Sequence, residues 1–248
     1  MNEKDWDGVA ITFEEEIFNV PANDRKGLIR SRLERFAGPA RTAADLGCGV
    51  GRTLSLLAGC FGRVYAVDIS SECLAMAEEA NSGSKNVRYV HADLSAPRKG
   101  YPSVDMVLCI NTWLNGDLGI RLGIIDHTCR AVKRGGHLLL VVPALGSALL
   151  TTFRRVQWEL REGTPAAHVP SVVDGPQEGV EHGIIHIDQV PTKHYLKEEL
   201  EVLLAERGLR VAEMHKLEYP WSTEFEEPPR WMRAPYPWDW FVVAERVR

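Results

Sequence analysis

Alternate glycines and three spaced carboxylates are the residues of this chain whose types and spacing point to chemistry. The run Ala43-Ala44-Asp45-Leu46-Gly47-Cys48-Gly49-Val50-Gly51-Arg52 leads an apolar strand into a turn with glycine at every second position. Missing side chains let such a backbone lie close against a ligand, and glycine tolerates the positive φ of a tight turn. Asp45, just ahead of the first glycine, would attract a cationic ligand group in a partly desolvated cleft. Asp68 closes the next apolar run, Val64-Tyr65-Ala66-Val67-Asp68-Ile69, and a carboxylate there can accept from both hydroxyls of a ribose. Asp93, in His91-Ala92-Asp93-Leu94, could accept from an adenine amino group. Each acid alone is more simply a helix cap or a solvated loop residue. Three at consecutive strand ends, beside a glycine loop, point to a nucleoside that also carries positive charge.

The spacing separates this loop from two other cradles. A dinucleotide fingerprint is GxGxxG, whose helix N-terminus receives a pyrophosphate. Here the spacing is GxGxG, Arg52 stands where the third fingerprint glycine would be, and Asp45 adds negative charge. An NAD-dependent oxidoreductase is therefore disfavoured. The phosphate loop GxxxxGK[ST] is absent.

The elements that must position these residues follow from periodicity. Apolar runs at Thr42–Leu46, Arg63–Val67, Val87–His91, Val104–Ile110 and His137–Val142 alternate with helical stretches at Arg52–Ala58, Ser71–Ala80 and Arg121–Val132. This is the signature of βαβ units around a mostly parallel sheet. Ser70 or Ser71 is the expected N-cap of the second helix, and Lys133-Arg134-Gly135-Gly136 marks a helix-to-strand junction. Ser147–Arg161 reads as a helix, Gly163–Val180 as an exposed loop and Gly183–Val190 as a strand. Leu196, Leu200, Leu203 and Leu204 form one helical face, stopped by Gly208. Leu209–Leu217 and Trp240–Ala244 are expected as the last strands, with a Pro- and Trp-rich loop, Glu218–Asp239, between them.

Composition sets the class. The chain has 248 residues, 45% hydrophobic and 25% charged, with a formal net charge of -5, which argues against a surface built to neutralise phosphates. The polar start lacks the apolar core of a signal peptide, and Leu138–Val142 is too short to cross a bilayer. Five scattered cysteines without a CxxC pair fit reduced thiols in a cytoplasmic protein better than a disulfide frame or a zinc site. No metal is expected.

Taken together, Asp-Leu-Gly-Cys-Gly-x-Gly, Val-Asp-Ile-Ser, Ala-Asp-Leu, Asp-Met-Val-Leu-Cys and Lys-Arg-Gly-Gly-His-Leu-Leu-Leu resemble the class I S-adenosylmethionine-dependent methyltransferases over residues 43–142. The resemblance implies an α/β Rossmann-like fold with a seven-stranded sheet whose last strand is antiparallel. It implies S-adenosylmethionine as cofactor and S-adenosylhomocysteine as product. Asp45 and the loop (Gly47, Cys48, Gly49, Gly51) would hold the methionine end, Asp68 the ribose and Asp93 the adenine. Ile69 and Leu94 would pack on the adenine faces, and Cys109 to Trp113, with Asn111 among them, would line the reactive end. The expected organisation is one methyltransferase domain over 1–248: a helical cap (1–40), a cofactor core (41–143), a substrate-lid insertion (144–193) and a C-terminal helix and strands (194–248).

The acceptor side is less specific. Insertions after strands five and six can cover the cleft and favour a small acceptor, methylated on N or O, over a polymer. Candidate bases are His186, His194 and Asp188, with Tyr195 and Asn111 as positioners. His182 and His186 have no supporting metal ligands. Trp221, Phe225, Trp231, Tyr236, Trp238 and Trp240 are either an aromatic wall or, as favoured here, packing for their loop. Glu224, Glu226 and Glu227 hint at an amine but are more simply a solvated face. Ile110-Asn111-Thr112-Trp113 lacks the Pro-Pro-aromatic motif of an amino-DNA methyltransferase. An RNA methyltransferase of the same fold and a non-catalytic cofactor-binding subunit stay open as alternatives.

Overall fold

The computed structural model describes residues 2–97, 101–165, 168, 182–187 and 189–247. Short helices α1 (Glu3–Val9), α2 (Phe13–Glu16), α3 (Val20–Asn23) and α4 (Leu28–Arg35) precede the sheet. Then follow β1 (Gly38–Leu46), α5 (Leu54–Cys60), β2 (Phe61–Asp68), α6 (Ser71–Ala80), β3 (Val87–His91), β4 (Val104–Ile110), α7 (Leu118–Ala131) and β5 (Val132–Pro143). The chain continues through α8 (Leu145–Arg161), β6 (Ile184–Ile187), β7 (Val190–Lys193), α9 (Lys197–Glu206), β8 (Leu209–Glu218) and β9 (Trp238–Arg246).

Seven strands form one sheet in the order β3-β2-β1-β4-β5-β9-β8, with β9 antiparallel to both of its neighbours. Central strands read as near-continuous apolar runs because both faces are covered. On one face Ile29 and Leu33 of α4, Leu54 and Leu57 of α5, and Leu74 and Ala77 of α6 pack on Ala43, Val64, Leu108 and Val141. On the other, Ile125 and Cys129 of α7 and Leu200 and Leu204 of α9 pack on Ala44, Val107, Leu138 and Leu140. Leu57 is fully buried, so truncating it to alanine removes about 2–5 kcal/mol. Ser70 caps α6 by accepting the Cys73 amide at 3.0 Å.

Two expectations shift. β5 begins at Val132, not His137: the basic Gly-Gly segment belongs to the strand, with Gly135 at φ 74 absorbing a register irregularity against β4. Gly183–Val190 is not one strand. Gln189 at φ 67 turns the chain, so β6 and β7 pair as a separate antiparallel hairpin. The Gly163–Val180 loop lies largely outside the described residues, as does Asp188. Among the described residues no helix is long and apolar enough to cross a membrane.

Candidate functional site

Strand order reverses direction between β1 and β4, and a crevice at the carboxyl ends of parallel strands opens at such a point. The glycine loop leaves β1 there. Gly47, Gly49 and Gly51 take φ of 73, 51 and 81, so each uses the left-handed region that favours glycine. The amides of Gly47 and Cys48 donate to the Val67 carbonyl at 2.8 and 3.1 Å, which ties the loop to the end of β2. Asp68 completes the tie: its Oδ2 accepts the Gly49 amide at 2.8 Å and its Oδ1 the Ser70 amide at 2.9 Å. Each carboxylate oxygen has a second lone pair, so acceptor capacity for hydroxyls remains.

Burial is the main force on both inner carboxylates. Asp45 is 3% exposed and accepts from the Thr53 hydroxyl. Burial pushes its carboxyl up to about 7, with the nearby Asp68 charge adding to the effect. Burial also raises Asp68, against the backbone amides that favour its charged form. No lysine or arginine among the described residues stabilises either group. Two such acids beside a glycine cradle suit a ligand that brings positive charge.

Asn111 follows β4 in a left-handed conformation, φ 50, with its Oδ1 buried and unpartnered. A strained residue with an orphaned acceptor marks a place where a ligand donor fits. Its neighbour Thr112 donates to the Leu46 carbonyl at 2.9 Å and lies against Gly47, so the β4 end and the glycine loop form one wall. An ammonium is a donor that would match this orphan together with Asp45, leaving the free lone pairs of Asp68 for hydroxyls, which is the chemistry of the cofactor implied above.

The remaining residues divide. Ile69 is half-buried beside Asp68, and Cys48 is buried within the loop. Asp93 is exposed, its Oδ1 accepting from the amide and hydroxyl of Ser95 at 2.7 Å each, and Leu94 is buried beneath it. Cys109 does not line the cleft: it is fully buried in the core, and desolvation pushes its thiol up to about 12. Trp113 is likewise core, with Nε1 donating to Thr128 at 3.1 Å.

On the acceptor side, His194 is buried and its Nδ1 lies 3.1 Å from the Thr192 carbonyl. That nitrogen must therefore carry the proton, which leaves Nε2 as the acceptor. Burial lowers its pKa below the ordinary histidine value, which disfavours the charged ring. Tyr195 is not positioned as a free polar group. It is fully buried and donates to the Trp113 carbonyl at 2.6 Å, which anchors the β4 end instead. His186 stands exposed on β6 opposite Pro191, and His182 sits in a turn outside the hairpin, not on its face. No metal-ligating group of three side chains occurs among the described residues.

The aromatic loop is packed against α8. Trp221 donates to the Arg233 carbonyl at 3.1 Å and stacks on Phe225 at 5.7 Å, while Arg154 and Arg161 lie over Trp221 and Trp231. One residue of this region escaped sequence reasoning. Asp239, buried at the start of β9 beside Pro143, accepts the Tyr219 hydroxyl at 2.7 Å and is pushed up to about 7 by burial. The signal was a lone carboxylate inside the apolar run Trp238-Asp239-Trp240-Phe241-Val242. A separate cleft of about 410 Å³ lies at the opposite end of the strands, lined by Asp126, Arg130, Glu206, Arg207 and Arg246. Its guanidinium groups are already bonded to Asp126 and to backbone carbonyls.

Residues 43–136 match the family described as "Methyltransferase domain". The chain is 30% identical over 108 residues to phosphoethanolamine N-methyltransferase 3 of Arabidopsis thaliana, a match covering 43% of this chain and 22% of that protein. It thus spans about a fifth of the length of that curated relative. In fold it is similar to a methyltransferase from Methanosarcina mazei, with TM-score 0.60 and 17% identity, covering 87% of this chain and 97% of the other. It is also similar to magnesium protoporphyrin IX methyltransferase from Synechocystis, solved with S-adenosylmethionine, with TM-score 0.59, 14% identity and coverage of 98% and 94%. Residues 43–136 thus carry the methyltransferase-domain match, within a fold similar to that of solved S-adenosylmethionine-dependent methyltransferases.

Proposed function

We propose that this chain transfers the methyl group of S-adenosylmethionine to a small-molecule acceptor, at nitrogen or oxygen. The observation that carries this is the left-handed glycine loop held between two buried carboxylates, Asp45 and Asp68, with the orphaned Asn111 Oδ1 in the same wall. When bound, the cofactor supplies an electrophilic methyl on a sulfonium. Asp45 and Asn111 would receive the ammonium, Asp68 the ribose hydroxyls and Asp93 the adenine edge, with Ile69 and Leu94 against its faces.

The protein's own work is alignment and, for acceptors that must lose a proton, deprotonation. His194 fits this role: burial disfavours its charged form, and the Thr192 carbonyl beside Nδ1 favours the tautomer that leaves Nε2 free to accept. Residues 1–40, α8 and the loop after β8 act as parts of one domain that covers the rim, which supports a small acceptor over a polymer. The amine-methylating activity named for the Arabidopsis relative supports nitrogen as the target. Five free cysteines fit action in the reducing cytoplasm.

The test is transfer of labelled methyl from S-adenosylmethionine to a panel of small amines, phenols and carboxylic acids, with RNA as a parallel acceptor. Label on a small molecule supports the proposal. Label on RNA alone, or S-adenosylhomocysteine binding with no transfer to any acceptor, contradicts it.

A further inference from the structure

Arg52 occupies the position that would be glycine in a dinucleotide loop, and its guanidinium is bonded to the N-terminal segment. It gathers residues 13–18 of the N-terminal segment. Nη1 donates to the carbonyls of Ile17 and Phe18 at 2.9 and 3.3 Å, and Nη2 to that of Phe13 at 3.2 Å. Nε and Nη2 also reach the Glu14 carboxylate at 3.1 and 2.9 Å, and the guanidinium carbon lies 5.0 Å from the Phe13 ring centre. The last carbonyls of a helix lack intrahelical partners, and a cation at that end satisfies them. Ile17 is the C-cap of α2, so Arg52 serves that end of the helix from the glycine loop while sharing the Phe13 carbonyl with the Ile17 amide.

What this holds in place matters for access. The Phe13 ring lies directly on Gly49, so close that a Cβ there would sit 2.6 Å from it. Gly49 is the residue whose amide bonds Asp68. On the far side, Asp7 of α1 accepts from the Ser70 hydroxyl at 2.6 Å, and the Ser70 amide bonds Asp68 as well. Asp68 is left 8% exposed and Cys48 8%. The segment so held lies over Gly49, the glycine whose amide is bonded to Asp68.

We propose that residues 13–18 are a strap latched by Arg52 across the cofactor site, and that release of this latch gates cofactor exchange. The inference rests on the methyltransferase reading above and assigns Arg52 and Phe13 a positioning role in it. The multidentate geometry requires the planar guanidinium, because a lysine ammonium cannot serve three carbonyls and a carboxylate at once.

Stopped-flow binding of S-adenosylhomocysteine to the full chain tests this, using the wild type, Arg52→Ala, Arg52→Lys and Phe13→Ala, with melting temperature recorded for each. Association and dissociation should both accelerate at least tenfold in Arg52→Ala and Phe13→Ala, with Kd changing far less, and Arg52→Lys should fall between. A merely structural role would lower melting temperature without raising both rates. Hydrogen exchange on the wild type gives an arm independent of the variants: amides of 13–18 should slow when S-adenosylhomocysteine is bound. Tight binding with unchanged rates in folded variants, or unchanged exchange at 13–18, overturns the strap and leaves the cofactor reading standing. No binding by the wild type overturns both.

Discussion

The Gly49 amide donates to Asp68 Oδ2 at 2.8 Å, so the first βα turn and the end of the second strand are one structural unit. The same carboxylate that shapes the loop is the one placed to receive a ribose. Disturbing either partner should therefore alter cofactor affinity before it alters the fold.

Gly51→Ala should be far more damaging than Gly59→Ala. Gly51 has φ 81, and a Cβ would meet the Ala77 Cβ and Leu54 Cδ1 at 2.9 Å, whereas Gly59 lies in α5 with open space around it. Forcing alanine into the left-handed region costs about 1–2 kcal/mol before any clash. Alanine within a helix gains up to about 1 kcal/mol over glycine. Chemical denaturation should show the first variant destabilised and the second unchanged or stabilised.

Asn111→Gly separates stability from function. The substitution relieves a left-handed φ of 50 and removes a buried acceptor without a partner. Stability should hold or rise by about 1 kcal/mol, while S-adenosylhomocysteine affinity falls at least tenfold. Unchanged affinity by calorimetry would remove Asn111 from the cofactor wall.

Asp45 and Asp239 give the apo protein a defined pH dependence. Their carboxyls are raised by burial from 3.8 to about 7, so the folded state holds these protons more tightly than the unfolded chain. The stability they contribute is full below about pH 3.8 and is lost as pH rises through about 7. Asp45→Asn and Asp239→Asn should melt above the wild type at pH 8, with the gap closing toward pH 4. Glu213 acts oppositely. Hydrogen bonds from His215 and Arg32 lower it from 4.5 to about 2, so its contribution is present above pH 4.5 and disappears as pH falls through about 2.

His194→Asn keeps a donor for the Thr192 carbonyl and removes the Nε2 lone pair. If His194 is the base, kcat should drop at least about a hundredfold with the KM for S-adenosylmethionine unchanged. An unaltered kcat would shift attention to Asp239.

Legibility in the sequence follows the range of the forces involved. The βα repeats, the glycine loop and the Asp45, Asp68 and Asp93 strand ends were readable because local periodicity and turn chemistry determine them. The β6–β7 turn at Gln189 was not, since it uses no glycine or proline to announce itself. Cys109 and Tyr195 looked like site residues by position, and only packing showed that their side chains point into the core. The Arg52 latch joins residues 34 to 39 positions apart, and Asp239 pairs with Tyr219 across two strands. No local pattern encodes either contact.

The most direct test of the central claim is calorimetric titration of the full chain with S-adenosylhomocysteine, with NAD in parallel and Asp68→Ala as the site variant. The account predicts binding in the micromolar range, no binding of NAD, and loss of S-adenosylhomocysteine binding in a variant that still folds. Preference for NAD, absence of binding, or full affinity retained in Asp68→Ala would contradict it.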